Sequence, residues 1–185
     1  MKSAKWMLLG VVSTLMACGG GSEASYESSG TKTGETASVS LPDSFFLASE
    51  PAGKKSVKEV RDGANSGDEI VITGKVGGDV NAFIEGRAVF TIVDLALKDC
   101  AESEMEEGGC PTPWDYCCED KTNLAQHTAT IELRDGEKPY SVSVQGLRGL
   151  EHQKVVVIQG TAHKDEAGNL TIVAKGLWMK SAAGG

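Results

Sequence analysis

"GDEIVITGKV" (residues 67–76) is the stretch that decides how this chain folds. It is dominated by the Val, Ile and Thr side chains that suit a pleated strand. One glycine precedes the run and another lies within it, where a strand must bend or meet another backbone closely. Five further runs of like character follow: "AVFTIVD" (88–94), "ATIELR" (129–134), "YSVSV" (140–144), "KVVVIQGTA" (154–162) and "NLTIVAKGLW" (169–178). Several alternate with period two, as half-buried strands do. Ile131 and Leu133 share a face of their run, and Tyr140, Val142 and Val144 share a face of theirs. The separators carry turn chemistry: "GGD" (77–79), "DGEKP" (135–139) and "DEAGN" (165–169). Two pieces have helical character. "KKSVKEVRDGAN" (54–65) places Val57, Val60 and Ala64 at helical spacing, and "GLRGLEH" (146–152) has room for one or two turns. Short strands with so little helix predict an all-β sandwich or barrel.

The order of strands, with a short helical piece between the third and fourth strand regions, resembles the OB-fold, a five-stranded Greek-key barrel. The resemblance covers residues 67–178. "GDEIVITGKV" looks like the first OB strand, with Gly74 where a tight barrel coils sharply. "GRAVFTIVD" looks like the second, with Phe90 and Ile92 inward and Asp94 ending it. "KVVVIQGTA" and "NLTIVAKGL" look like the closing hairpin. The resemblance implies a mainly β, OB-fold-like Greek-key barrel of five to six strands. One N-terminal helix, one short helix and a Cys-rich insert would complete it. "YSVSV" is then an extra strand, or an extension of the third through a hairpin. An immunoglobulin-like sandwich would call for a seventh strand.

The connection between the second and third strands, about residues 95–128, is far longer than an ordinary hairpin loop. It holds every cysteine of the domain: Cys100, Cys110, Cys117 and Cys118. An even number in an exported chain points to disulfides. A Cys117–Cys118 bond has poor geometry, so Cys100 and Cys110 are expected to pair crosswise with them. Such a double staple would make the insert a compact knob. Pro111 and Pro113 favour extended backbone, which would send Trp114 and Tyr116 to one side and Asp115 and Cys117 to the other. Trp114, Asp115 and Tyr116 are thus candidates for a binding surface, with the two rings available to pack the knob on the barrel. The alternative is a metal site, since four thiolates suit Zn²⁺ or Cu(I). Cysteine gaps of nine, six and no residues differ from paired zinc knuckles. No C-x-x-C redox motif is present. The segment resembles one in uncharacterised exported envelope proteins that share a Pro-Trp-Asp-Tyr-Cys-Cys run, and that likeness implies no activity.

Charge is concentrated in the same insert. Between Asp99 and Asp120 stand eight acids and no Lys or Arg. Residues 54–180 carry 15 basic and 21 acidic side chains, so without that segment the body is nearly neutral at 15 against 13. No basic surface suited to phosphates is offered, and an acidic patch attracts cations instead. Asp94 and Asp99 flank the insert as a strand end and a loop acid that could join a cation site. His127, His152 and His163 read as surface residues, and Trp178 as core or rim. The sequence contains no G-x-S-x-G elbow, P-loop or dinucleotide fingerprint.

At the start of the chain, Lys2 and Lys5 precede the apolar run "WMLLGVVSTLMA" (6–17), too short to span a bilayer and suited to a secretory signal. It ends in "LMAC" (15–18), which resembles the lipobox of bacterial lipoproteins. That resemblance implies removal of residues 1–17, lipidation of Cys18, and anchoring in the cell envelope. By analogy with enterobacterial sorting, Gly19 points to the outer membrane, facing the periplasm. The Gly/Ser/Thr/Glu-rich stretch to residue 40 reads as a flexible tether. Residues 41–180 then form one domain and 181–185 a disordered tail. The expected function is a non-catalytic binding or scaffold module without a cofactor. Its partners would be the membrane through its lipid and an envelope protein or small ligand. A metal-binding or metal-trafficking protein is the alternative. A thiol-redox enzyme or nucleic-acid binder fits less well.

Overall fold

The computed structural model describes residues 40–100 and 110–180. The expected signal at 1–17, the expected lipidation site Cys18, nearly all of the expected tether, the insert acids Glu102, Glu104, Glu106 and Glu107, and the expected tail at 181–185 lie outside the described residues. None of the helices among the described residues is long and apolar enough to cross a membrane.

Six strands form the sheet: β1 (Glu69–Val76), β2 (Val89–Val93), β3 (Thr128–Asp135), β4 (Lys138–Pro139), β5 (Val155–Lys164) and β6 (Leu170–Met179). β1 pairs antiparallel with both β2 and β5, β2 with β3, and β5 with β6. A parallel seam between β3 and β6, from Thr130↔Thr171 to Leu133↔Ala174, closes the ring. This is the five-stranded OB barrel, with two-residue β4 as an extra strand on β3. Closure leaves no open edge on the barrel strands and so satisfies the backbone of a small sheet.

The barrel closes around residues of alternating register. Ile70, Ile72 and Val76 of β1, Phe90 and Ile92 of β2, and Ile131 and Leu133 of β3 are all buried in one core with Ile158, Leu170, Ile172 and Leu177. Gly74 faces this crowding from β1: a Cβ there would lie 2.8 Å from the Val93 carbonyl oxygen and 3.0 Å from Ile92. Only glycine lets the two strands approach so closely.

Helix α1 (Val57–Gly63) packs against β1 and β3 and buries Val57 and Val60. Each such side chain contributes about 1.5–3 kcal/mol relative to exposure. Its start is capped twice. Ser56 and Glu59 form a reciprocal capping box. From β2's end, the Asp94 carboxylate accepts the Lys58 N–H at 2.8 Å. Asp94 also accepts the Ala96 N–H at 2.9 Å, and its own N–H donates to the His127 carbonyl at 2.8 Å.

Two sequence expectations change. "YSVSV" is not a strand: after the β3–β4 hairpin the chain runs irregularly from Tyr140 to Val144. Its face assignment survives, because Val144 is buried and Tyr140 and Val142 pack on the core. The segment "GLRGLEH" forms only a 3-10 turn at Leu147–Gly149, with Leu150 buried behind it. Conversely, the insert contains an unforeseen helix, α2 (Lys121–Gln126), capped by Asp120, whose side chain accepts from the N–H groups of Thr122 and Asn123.

Asp94→Ala removes the acceptor for two backbone N–H groups that a buried carboxylate now serves. The expected loss is about 2 kcal/mol or more, measured by urea denaturation, with Asp94→Asn milder. Wild-type stability in Asp94→Ala would refute the bridging role.

Candidate metal centre in the β2–β3 insert

β2 buries both of its faces, although a half-exposed strand is the usual pattern for a barrel this small. Val89 and Val93 point away from the core, yet both are buried. Val93 is covered by Leu97, Tyr116 and Leu124 in a second, smaller apolar cluster. The insert is therefore folded back over the outer face of β2 and the first residues of β3.

Four contacts dock it. Tyr116 is 1% exposed, which makes it the anchor of the insert. The Gly78 N–H donates to the Trp114 carbonyl at 2.8 Å, and Trp114 Nε1 donates to the Val80 carbonyl at 3.3 Å. The Trp114 ring stacks on His152, with centroids 4.3 Å apart and planes at 19°, and His152 meets Phe83 edge-on at 5.1 Å. His152 thus sits between aromatic rings rather than on the solvated face its sequence context suggested. Burial holds its pKa below the ordinary histidine value, against the opposing pull of Glu151. Gly77 makes the close approach possible: a Cβ there would lie 2.6 Å from the Trp114 carbonyl oxygen and 3.1 Å from the Tyr116 ring.

The extended run expected after Pro111 and Pro113 is not formed. Pro113–Asp115 is a 3-10 turn, and Tyr116 adopts the left-handed conformation at φ 56°, ψ 35°. A non-glycine residue pays roughly 1–2 kcal/mol for that geometry. The turn presses the Tyr116 ring against the outer face of β2 and carries Cys117 and Cys118 back toward Cys100.

Cys100 is buried, Cys110 is half-buried, and Cys117 and Cys118 are exposed; none of the four is in a disulfide. The two disulfides expected from the sequence are not formed. Cys117 Sγ lies 3.4 Å from Cys100 Sγ, 3.7 Å from Cys110 Sγ and 3.9 Å from Cys118 Sγ, so three neighbours crowd one sulfur, with Cys100 the nearest. A bonded pair would be about 2.05 Å apart. The Asp115 carboxylate joins them: one atom each from Cys100, Cys110, Asp115 and Cys117 all lie within 4.8 Å of one another. Asp115 is itself fixed, accepting from Thr112 Oγ1 at 2.7 Å and from the Cys117 N–H at 2.8 Å.

The electrostatics treat the thiols as one unit. Burial pushes Cys100 up, but hydrogen bonds from Cys118, Cys117 and Cys110 outweigh it and leave its pKa below the ordinary thiol value. Cys117 is raised by its hydrogen bonds to Cys100 and then Cys110, and Cys118 by its hydrogen bond to Cys100. Of the four, Cys100 is the one whose deprotonated form its neighbours' S–H groups favour. The cluster is built on the barrel, not on the insert alone. Asp99, beside Cys100, is 2% exposed. It takes hydrogen bonds from Lys75 Nζ of β1 at 3.1 Å and Gln153 Nε2 at 3.0 Å. The Cys100 N–H donates to the Pro113 carbonyl at 3.3 Å.

Asp94 and Asp99 are therefore structural: the first holds the neck of the insert and the second the ion pair with Lys75. His127 binds the Asn123 carbonyl through Nδ1 at 2.8 Å and lies away from the sulfurs' donor set. The outer face of β3 retains an open cleft of about 300 Å³ between α1, α2 and the β5–β6 turn, lined by Arg61, Lys121, Leu124, Thr128, Thr130 and Asn169.

No family model and no curated protein matches this chain. Among solved structures, it is similar to an OBody, AM1L10, bound to hen egg-white lysozyme. The two are 16% identical with a TM-score of 0.40, and the likeness covers 74% of this chain and all of that one.

Gly77→Ala forces the Trp114 carbonyl and Tyr116 ring away from the barrel while leaving the core residues in place. Faster amide hydrogen exchange is expected in residues 113–118, with the strands still protected. Unchanged exchange in that segment would show that the close approach is not what docks the insert.

Proposed function

We propose that this protein is an envelope metal-binding protein, in which a small OB barrel acts as scaffold for a thiolate centre. The observation that carries the reading is the spacing of the sulfurs. Thiolates about 2.3 Å from a tetrahedral zinc ion lie about 3.8 Å from one another. The separations around Cys117 are 3.4, 3.7 and 3.9 Å. Cys100, Cys110 and Cys117 supply three ligands, and Cys118 or Asp115 the fourth. The group when bound supplies a fixed cross-link and a Lewis-acidic ion. The chain's own part is to set the donors: Lys75 and Gln153 hold Asp99 beside Cys100, and the Trp114 and Tyr116 contacts fix the loop bearing Cys117.

Anchoring through lipidated Cys18, in the outer membrane and facing the periplasm, is part of the same proposal and rests on the "LMAC" segment. A binding or scaffold role for the barrel remains compatible with it. Nucleic-acid binding gains no support, because the insert occupies part of the outer β2–β3 face and carries eight acids against two lysines, Lys98 and Lys121. The second reading is an oxidised insert with two disulfides, which the short Cys100–Cys117 separation favours.

Both readings are separated by purifying the protein from the envelope, counting free thiols with and without reductant, and measuring bound metal. The metal reading expects about one zinc or copper ion per chain and no disulfide. Chelation should then expose all four thiols to alkylation. No metal together with no free thiol would overturn it in favour of the stapled insert. For the anchor, Cys18→Ser is expected to move the protein from the membrane to the soluble fraction. Unaltered membrane retention and processing would refute lipidation.

A further inference from the structure

The donors of this centre are unequal, and the inequality has a direction. Exposure rises from buried Cys100, through half-buried Cys110 and Asp115, to exposed Cys117 and Cys118. The compact donor set consists of Cys100, Cys110, Cys117 and the Asp115 carboxylate, whereas Cys118 is not of that set. Cys118 nonetheless stands 3.9 Å from Cys117, a ligand-to-ligand distance. The centre therefore has five donors for four positions, and the surplus donor lies on its solvent side.

The ion is also not what holds the domain together. The main core contains no cysteine, and the insert is docked by Tyr116, Trp114 and the Asp94 neck independently of the sulfurs. A purely structural zinc site is closed by four protein ligands and folds the chain around itself. The second condition does not fit here, and the fifth donor gives the first a way to open.

Building on the metal-centre reading, we infer that this is an exchange site for zinc or a similar borderline divalent ion, with Cys118 the displaceable sulfur, Asp115 its stand-in, and a thiol-bearing acceptor as partner. A carboxylate is a poor ligand for Cu(I) and an ordinary one for zinc, which sets the class of ion. The acceptor must offer a thiolate, since weaker oxygen ligands do not readily strip an ion from three sulfurs. In the exchange, the bond between the ion and Cys118 Sγ breaks, and a bond between the ion and the acceptor sulfur forms. Asp115 holds the fourth position only between the departure of Cys118 and the arrival of the first acceptor sulfur, whose proton passes to Cys118 Sγ. Further acceptor thiols then displace Cys117, Cys110 and Cys100 in turn, each giving its proton to the sulfur it displaces, and the ion leaves with the acceptor. No electron is gained or lost.

The test uses the full-length protein loaded with Zn²⁺, or with Co²⁺ as a spectroscopic probe. The acceptor is a metal-free four-cysteine zinc-finger peptide, and EDTA is the oxygen-donor control. Transfer to the peptide is expected to accelerate in proportion to its concentration, and loss to EDTA to be slower. Cys118→Ser should still bind Co²⁺, with thiolate-to-cobalt absorption reduced by about a quarter as one of four sulfurs is lost. It should also lose the dependence on peptide concentration. Asp115→Asn should keep the four-sulfur spectrum and slow the transfer. Release independent of the peptide, or wild-type transfer by Cys118→Ser, would overturn the exchange while leaving the metal centre intact. Failure of the wild-type protein to bind either ion would remove the metal centre itself and the exchange with it.

Discussion

One buried residue, Asp94, ties the three parts of this domain together. Its carboxylate takes a backbone N–H from helix α1 and another from the first turn of the insert. Its own N–H reaches the His127 carbonyl, where the insert ends. Strand, helix and both ends of the long loop meet at a single residue that is 2% exposed. A carboxylate this buried is tolerable because its charge is spread over backbone donors. The cost of closing a long loop grows only slowly with its length, so a tight neck suffices to hold a large insert.

The insert then completes what the barrel alone leaves unfinished. β2 has apolar side chains on both faces, and its outer Val93 would be wet without Tyr116 and Leu124. In return, the barrel gives the insert a fixed base, and strain in the Tyr116 backbone becomes tolerable because the ring is buried. That strained residue immediately precedes Cys117. Packing on one side of the turn and sulfur convergence on the other are two results of the same local geometry.

Much of the barrel was legible from residues 67–178, because Val, Ile and Thr runs with turn residues between them leave few alternatives. Phe90, Ile92, Ile131 and Leu133 lie inward as their alternation implied. "YSVSV" misleads because a two-residue alternation records which side faces the core, and a chain can obey it without a ladder partner. Helix α2 was hidden because "KTNLAQ" offers only Leu124 as a strong apolar residue, although Asp120 was a readable cap. The centre was harder still. Its four cysteines were plain in the sequence, but their spacing argued against a shared ligand set. What brings them together is a left-handed Tyr116 and a two-sided docking of Trp114, neither of which has a local signature. His152 was missed for the same reason: its partners Phe83 and Trp114 are remote in sequence.

The neck has an evolutionary consequence. Val93 and Thr128 are directly opposed partners in the β2–β3 ladder, so the chain leaves and re-enters the barrel at adjacent points. From the barrel's standpoint the whole intervening stretch is topologically equivalent to a tight hairpin turn. Such a segment can be gained, lost or recast by recombination without any strand changing register. The sulfur cluster sits on a segment of this kind, and what ties it to this barrel is the hold of Lys75 and Gln153 on Asp99 and the cover that Tyr116 gives Val93.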